Sequence, residues 1–122
     1  MDRVVLDTNA LMMPVECGVR VFEELDRLLE TYECYTVEPV VAELQTLAES
    51  GHGTESTAAR VGHDLTARCG ILETEAAYAD DALVELANDG ACDYVVTNDR
   101  PLRDRLSVAV ICVRGQNKLA IQ

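Results

Sequence analysis

Four short segments of the chain carry acids at positions where a carboxylate would do chemistry rather than meet water. In VVLDTNALM, residues 4–12, three apolar residues run into Asp7 and then into the polar Thr8 and Asn9. In VEPVVAELQTLA, 37–48, Glu43 stands between Val40 and Leu47 at helical spacing, which predicts that it falls on the apolar stripe of a helix. In YADDALVELA, 78–87, Asp80 heads the line of Leu83, Val84 and Ala87. Asp81, turned by a further 100° or so, points toward the side of Glu85 and Asn88. In YVVTNDRPLRDRL, 94–106, Asp99 follows Thr97 by two residues at the close of an apolar run. Taken singly, each acid has an ordinary explanation: an Asx turn for Asp7, a helix cap for Asp99, a first-turn partner of the helix dipole for Asp80 and Asp81. Gathered at one place, they would repel one another and raise each other's pKa unless a cation neutralised them. Oxygen-only ligation with little histidine nearby selects Mg²⁺ or Mn²⁺ over zinc. His52 and His63 lack ligand spacing and read as surface residues.

The elements that must position these acids alternate along the chain. Five β-branched runs, RVVL (3–6), CYTV (34–37), GIL (70–72), DYVVT (93–97) and VAVICV (108–113), predict strands. Between them, segments 19–32, 39–49, 54–69 and 77–89 repeat apolar residues at helical spacing, and Gly90 ends the last. Strands alternating with helices imply crossover connections and an α/β fold, a three-layer α/β/α sandwich around a parallel sheet. Open sheets of this kind bind ligands outside the carboxyl ends of their strands, where strand order reverses. Asp7 and Asp99 both sit at such ends, and they converge if their strands are neighbours.

The 122 residues suit a single domain over 1–122 with one real core. No apolar run approaches the ~18 residues of a membrane span, so the expectation is a cytoplasmic protein with no membrane partner. Five scattered cysteines without a C-x-x-C pair read as reduced, structural thiols. The formal charge of −12 argues against a polyanion partner. Yet nine of the ten basic residues are arginine, and acid excess with so little lysine is the pattern expected of adaptation to high salt. The charge is also uneven. Residues 100–122 hold Arg100, Arg103, Arg105, Arg114 and Lys118 against Asp104 alone, so a polyanion would lie there, with Arg100, Arg103 and Arg105 on its phosphates.

VVLDTNALM, VEPVVAELQTLA, YADDALVELA and YVVTNDRPLRDRL resemble, in that order, the four motifs of the PIN-domain nucleases, and the likeness spans nearly the whole chain. It implies a five-stranded parallel sheet and a metal-dependent endoribonuclease. It maps the family's acidic quartet onto Asp7, Glu43, the Asp80–Asp81 pair and Asp99, with Thr8, Asn9, Thr97 and Asn98 at supporting polar positions. The family's third acid usually stands three residues before an aliphatic one, which favours Asp80 and leaves Asp81 open. One or two Mg²⁺ or Mn²⁺ ions would activate water for in-line displacement, leaving 5′-phosphate and 3′-hydroxyl ends. The expected substrate is single-stranded or structured RNA. The family's members suggest two settings, pre-rRNA processing with a ribosome-assembly partner, or a toxin held by an antitoxin. A third reading is an idle scaffold for protein partners, and the apolar segment 19–32 would serve either a homodimer or the core.

Overall fold

A computed structural model describes residues 1–122. Its elements are β1 (Asp2–Leu6), α1 (Thr8–Glu16), α2 (Val21–Leu28), β2 (Tyr32–Val37), α3 (Glu38–Ser50) and α4 (Gly53–Leu65). A 3₁₀ turn (Thr66–Arg68) leads into β3 (Gly70–Leu72), followed by α5 (Ala79–Asn88), β4 (Tyr94–Val96), α6 (Arg100–Arg105), β5 (Ala109–Val113) and β6 (Leu119–Ile121).

The sheet runs β3-β2-β1-β4-β5-β6. All five expected strands are present and parallel. A sixth, β6, returns antiparallel on β5, pairing Leu119 with Val113. Only three residues long and polar in its approach, β6 carries no alternating pattern of its own. It is held by α2, where Glu24 accepts the Leu119 N–H at 2.9 Å and Arg27 donates to its carbonyl at 2.7 Å.

Alternation along the strands builds the layers. Val4, Leu6 and Val96 point to one face and pack with Leu11, Met13, Leu25, Val40 and Leu44 from α1–α3. Val5 and Val95 point to the other and meet Leu83 and Ala87 of α5 and Leu102 of α6. Successive crossovers leave β1 in opposite directions, so strand order reverses between β1 and β4.

One helix was not legible beforehand. The chain turns helical directly after Asp7, whose carboxylate accepts the Ala10 N–H at 2.6 Å as an N-cap. Pro14 lies inside α1, near its end, where the periodicity is weakest. The expected helix over 19–32 is confined to Val21–Leu28, because Tyr32 and Glu33 join β2 beside Asp2 and Arg3. Its apolar stripe of Val21, Phe22 and Leu25 is spent on the core.

α1 lies closely against α4, and Gly62 makes that approach possible. A Cβ there would stand 2.8 Å from the Leu11 carbonyl oxygen and 3.2 Å from a Leu44 methyl. Gly62→Val is therefore expected to cost about 3 kcal/mol, since backbone rather than a movable side chain blocks the new atoms. Urea denaturation, with its midpoint lowered and its slope unchanged, is the check.

Candidate active site

β1 and β4 are adjacent, with Leu6 beside Val96 in register, so Asp7 and Thr97 leave the sheet side by side. The Asp7 N–H bonds the Val96 carbonyl at 3.4 Å, and the Thr97 N–H bonds Ile111 of β5 at 3.0 Å. Thr36 on β2 donates to the Leu6 carbonyl at 2.8 Å. That buried threonine, inside an ordinary β-run, gave no signal that it would support the residue before the acid.

Asp7 is 4% exposed. Burial pushes its carboxyl from the ordinary 3.8 up to about 7, and the Asp80 and Asp99 carboxylates add to the rise. Hydrogen bonds from the Thr97 hydroxyl and the Ala10 N–H oppose it. The Thr97 oxygen accepts the Asp99 N–H at 3.0 Å, so the buried hydroxyl that lowers the Asp7 pKa also anchors the backbone of the second acid. Asp99 caps α6 through the Leu102 N–H at 3.3 Å, so its ordinary role and its place at the site coexist.

Asp80, at the start of α5, has its pKa raised by partial burial, then by Asp99 and Asp81, against the lowering effect of Arg105. Asp81 instead forms an ion pair with Arg105 at 2.8 Å, tying α5 to α6. The geometry thus separates the pair: Asp80 senses the other acids, and Asp81 tethers two helices. Asn9 accepts the Asn98 N–H, and Asn98 accepts the Val113 N–H, each at 2.9 Å. These side-chain oxygens bind α1, the β4–α6 loop and β5 together, which leaves only the amide NH₂ groups to face a ligand. The Thr8 hydroxyl is buried without any hydrogen-bond partner.

One expectation is corrected here. Glu43 is exposed rather than on the apolar stripe, because the buried line runs Val40–Leu44 and Glu43 flanks it by roughly a quarter-turn. It has no ion-pair partner. Of the arginines assigned to phosphates, Arg105 is paired with Asp81 and Arg103 donates to Gln122. Arg100 alone is exposed and unengaged. His52 is exposed and His63 half-buried.

No three Asp, Glu, His or Cys side chains stand close enough to form a ready metal cage. The donor chemistry nonetheless suits a hard divalent cation: a carboxyl whose burial, aided by two further acids, raises its pKa to about 7, and an orphaned hydroxyl at Thr8. A cleft of about 730 Å³ between α3, β3 and α5 is lined by Pro39, Ile71, Leu72 and Glu85 and by none of these acids.

A doubly wound sheet with acids at its reversal point defines a class of α/β domain that handles ligands at a carboxylate-lined edge. The chain belongs to the PIN-like domain family, whose model matches residues 4–116. It is 28% identical over 127 residues to ribonuclease VapC4 of Methanocaldococcus jannaschii, covering 99% of this chain and 97% of that protein. It superposes on the PIN domain endonuclease Utp24 with a TM-score of 0.78 and 27% identity, over 98% of this chain and 90% of the other. VapBC2 from Rickettsia felis, solved with a DNA fragment from its promoter, shares the fold, with a TM-score of 0.57 and 16% identity over 92% of this chain and 99% of that one. No helix is long and apolar enough to cross a membrane.

Proposed function

We propose that the chain is a divalent-metal-dependent endoribonuclease acting in RNA processing. The observation that carries this reading is Asp7, buried at the strand reversal with its pKa raised to about 7 and its charge coupled to Asp80 and Asp99. Asp7, Glu43, Asp80 and Asp99 are the acids that would hold Mg²⁺ or Mn²⁺, Glu43 joining from the neighbouring helix with its carboxylate free. A divalent ion there supplies polarisation of a phosphodiester and acidification of water. The protein's own contribution is positional. Asp7 would hold the cation as a carboxylate, having lost its proton, Thr97 anchors the Asp99 backbone beside it, and Asn9 and Asn98 keep α1 and the loop in register. The unengaged Arg100, one residue beyond Asp99, contacts the RNA backbone. Asp81, Arg103 and Arg105 support the fold around this centre.

Likeness to a ribonuclease and to an endonuclease, each over nearly the full chain, supports the activity. The test is cleavage of end-labelled single-stranded and hairpin RNA at low and high salt with Mn²⁺, Mg²⁺ or EDTA. Cleavage that requires metal, leaves 5′-phosphates and falls at least about tenfold in Glu43→Gln is expected, a loss of about 1.4 kcal/mol or more of transition-state stabilisation. Cutting that persists in EDTA, or neither cutting nor calorimetric Mn²⁺ binding, overturns the assignment and leaves a scaffold. Growth arrest on expression alone would move the role to a toxin with an antitoxin partner.

A further inference from the structure

Cys34 and Cys69 are 35 residues apart in the chain, yet their sulfurs stand 3.3 Å apart in the fold. The sheet explains the meeting. β2 and β3 are parallel with Tyr35 beside Gly70, so one step back along both strands sets Cys34 beside Cys69. Neighbouring strands lie about 4.8 Å apart, within the Cα separation that a disulfide spans without backbone movement. Both thiols are half-buried. Cys34 and Arg68 line a second cleft, of about 460 Å³, on the α2 side of β2. The Arg68 guanidinium is fixed 4.0 Å over the Phe22 ring.

We propose that Cys34 and Cys69 form a redox-active dithiol, a modification site for low-molecular-weight disulfides, whose oxidation staples the edge strand β3 to β2. The two sulfurs share one hydrogen bond in which either can donate, Cys69 also reaches the Leu65 carbonyl at 4.0 Å, and the charge of Arg68 favours thiolate on both. Either thiolate attacks a sulfur of the incoming disulfide RSSR, forming a mixed disulfide and releasing RS⁻. The other cysteine then gives its proton to a departing thiolate and attacks the modified sulfur, closing the Cys34–Cys69 bond and expelling the second RS⁻. With a second proton from water, one RSSR and two protein thiols become one protein disulfide and two RSH. The bond encloses α3 and α4 in its loop and lies three residues back from the carboxyl end of β2, on the far side of the strand from the acids.

Oxidised glutathione is the probe, applied to the whole chain with exposed Cys17 changed to serine so that it forms no adduct. The product is expected to have lost two hydrogens, to yield a Cys34–Cys69 linked peptide, and to melt about 10 °C higher, with dithiothreitol restoring the reduced melting point. Cys34→Ser and Cys69→Ser should each trap a single glutathione adduct on the remaining cysteine of the pair. Peptide maps without the Cys34–Cys69 link, or a melting point unmoved by oxidation, overturn the proposal. Both readouts come from the native pair, so a poorly folding variant does not weaken the test.

Discussion

Asp7→Asn is expected to abolish metal-dependent cleavage and at the same time to make the metal-free protein more stable at pH 8. The opposed signs follow from burial. In the folded chain Asp7 stays protonated up to about pH 7, while in the unfolded chain it ionises near its ordinary 3.8. The native state therefore holds the extra proton between those values. The stability that this provides is complete below 3.8 and is lost as the pH rises through about 7, where a bare carboxylate must be kept in a dry site. The full rise corresponds to about 4 kcal/mol, and the imperfectly satisfied amide of Asn returns part of it, leaving a gain of about 2 kcal/mol. Asn retains an oxygen for the Ala10 N–H, so the cap on α1 survives. Thermal melts across pH 5–9 with EDTA, repeated with Mn²⁺, are the measurement. Wild type should lose stability as the pH rises from 5 to about 7, stay level above that, and regain stability at pH 8 with Mn²⁺, whereas the variant should respond to neither. A variant that melts lower than wild type at pH 8 would show that Asp7 is stabilised as an ion and would remove the basis for a cation there.

Replacing Thr97 by valine keeps the shape and deletes one hydroxyl, and its expected effect is the second largest. Thr97 is fully buried, accepts the Asp99 N–H and lowers the pKa of Asp7. Valine leaves that N–H without a partner at the turn into α6, costing about 2 kcal/mol. It also removes the strongest interaction that holds the Asp7 pKa down. The acidic limb of the cleavage profile should then move up by about one pH unit. Thr97→Ser should restore both stability and profile, because it returns the hydroxyl while losing only a methyl. A profile that stays in place while stability falls would reduce Thr97 to a structural role.

Much of the site was written in local chemistry. Asp7 and Asp99 end apolar β-runs, and a strand's carboxyl end is where a parallel sheet exposes backbone to a ligand, so their types and positions already implied an acidic edge. Asp80 could be preferred over Asp81 from helical periodicity alone, and the structure shows the physical counterpart, with Asp81 turned to Arg105. Helix α1 escaped because TNALMMPVE is apolar almost throughout, includes a proline, and is started by a cap that reads equally well as a turn. Glu43 lies a quarter-turn outside the buried line because spacing to Val40 and Leu47 does not say which edge of a stripe meets the core.

By itself, the sequence determined the alternation of strands and helices, the presence of acids at strand and helix ends, and the family to which the chain belongs. These are properties of residue type and period, which act over one or two turns of chain. Only the tertiary structure decided that β1 and β4 are neighbours, that Arg103 meets Gln122 and Arg105 meets Asp81, and that Cys34 meets Cys69. Each of these depends on strand order and on partners tens of residues away, which no local propensity encodes. The same holds for the Asp7 pKa: a carboxyl titrates near 7 because of what is packed around it.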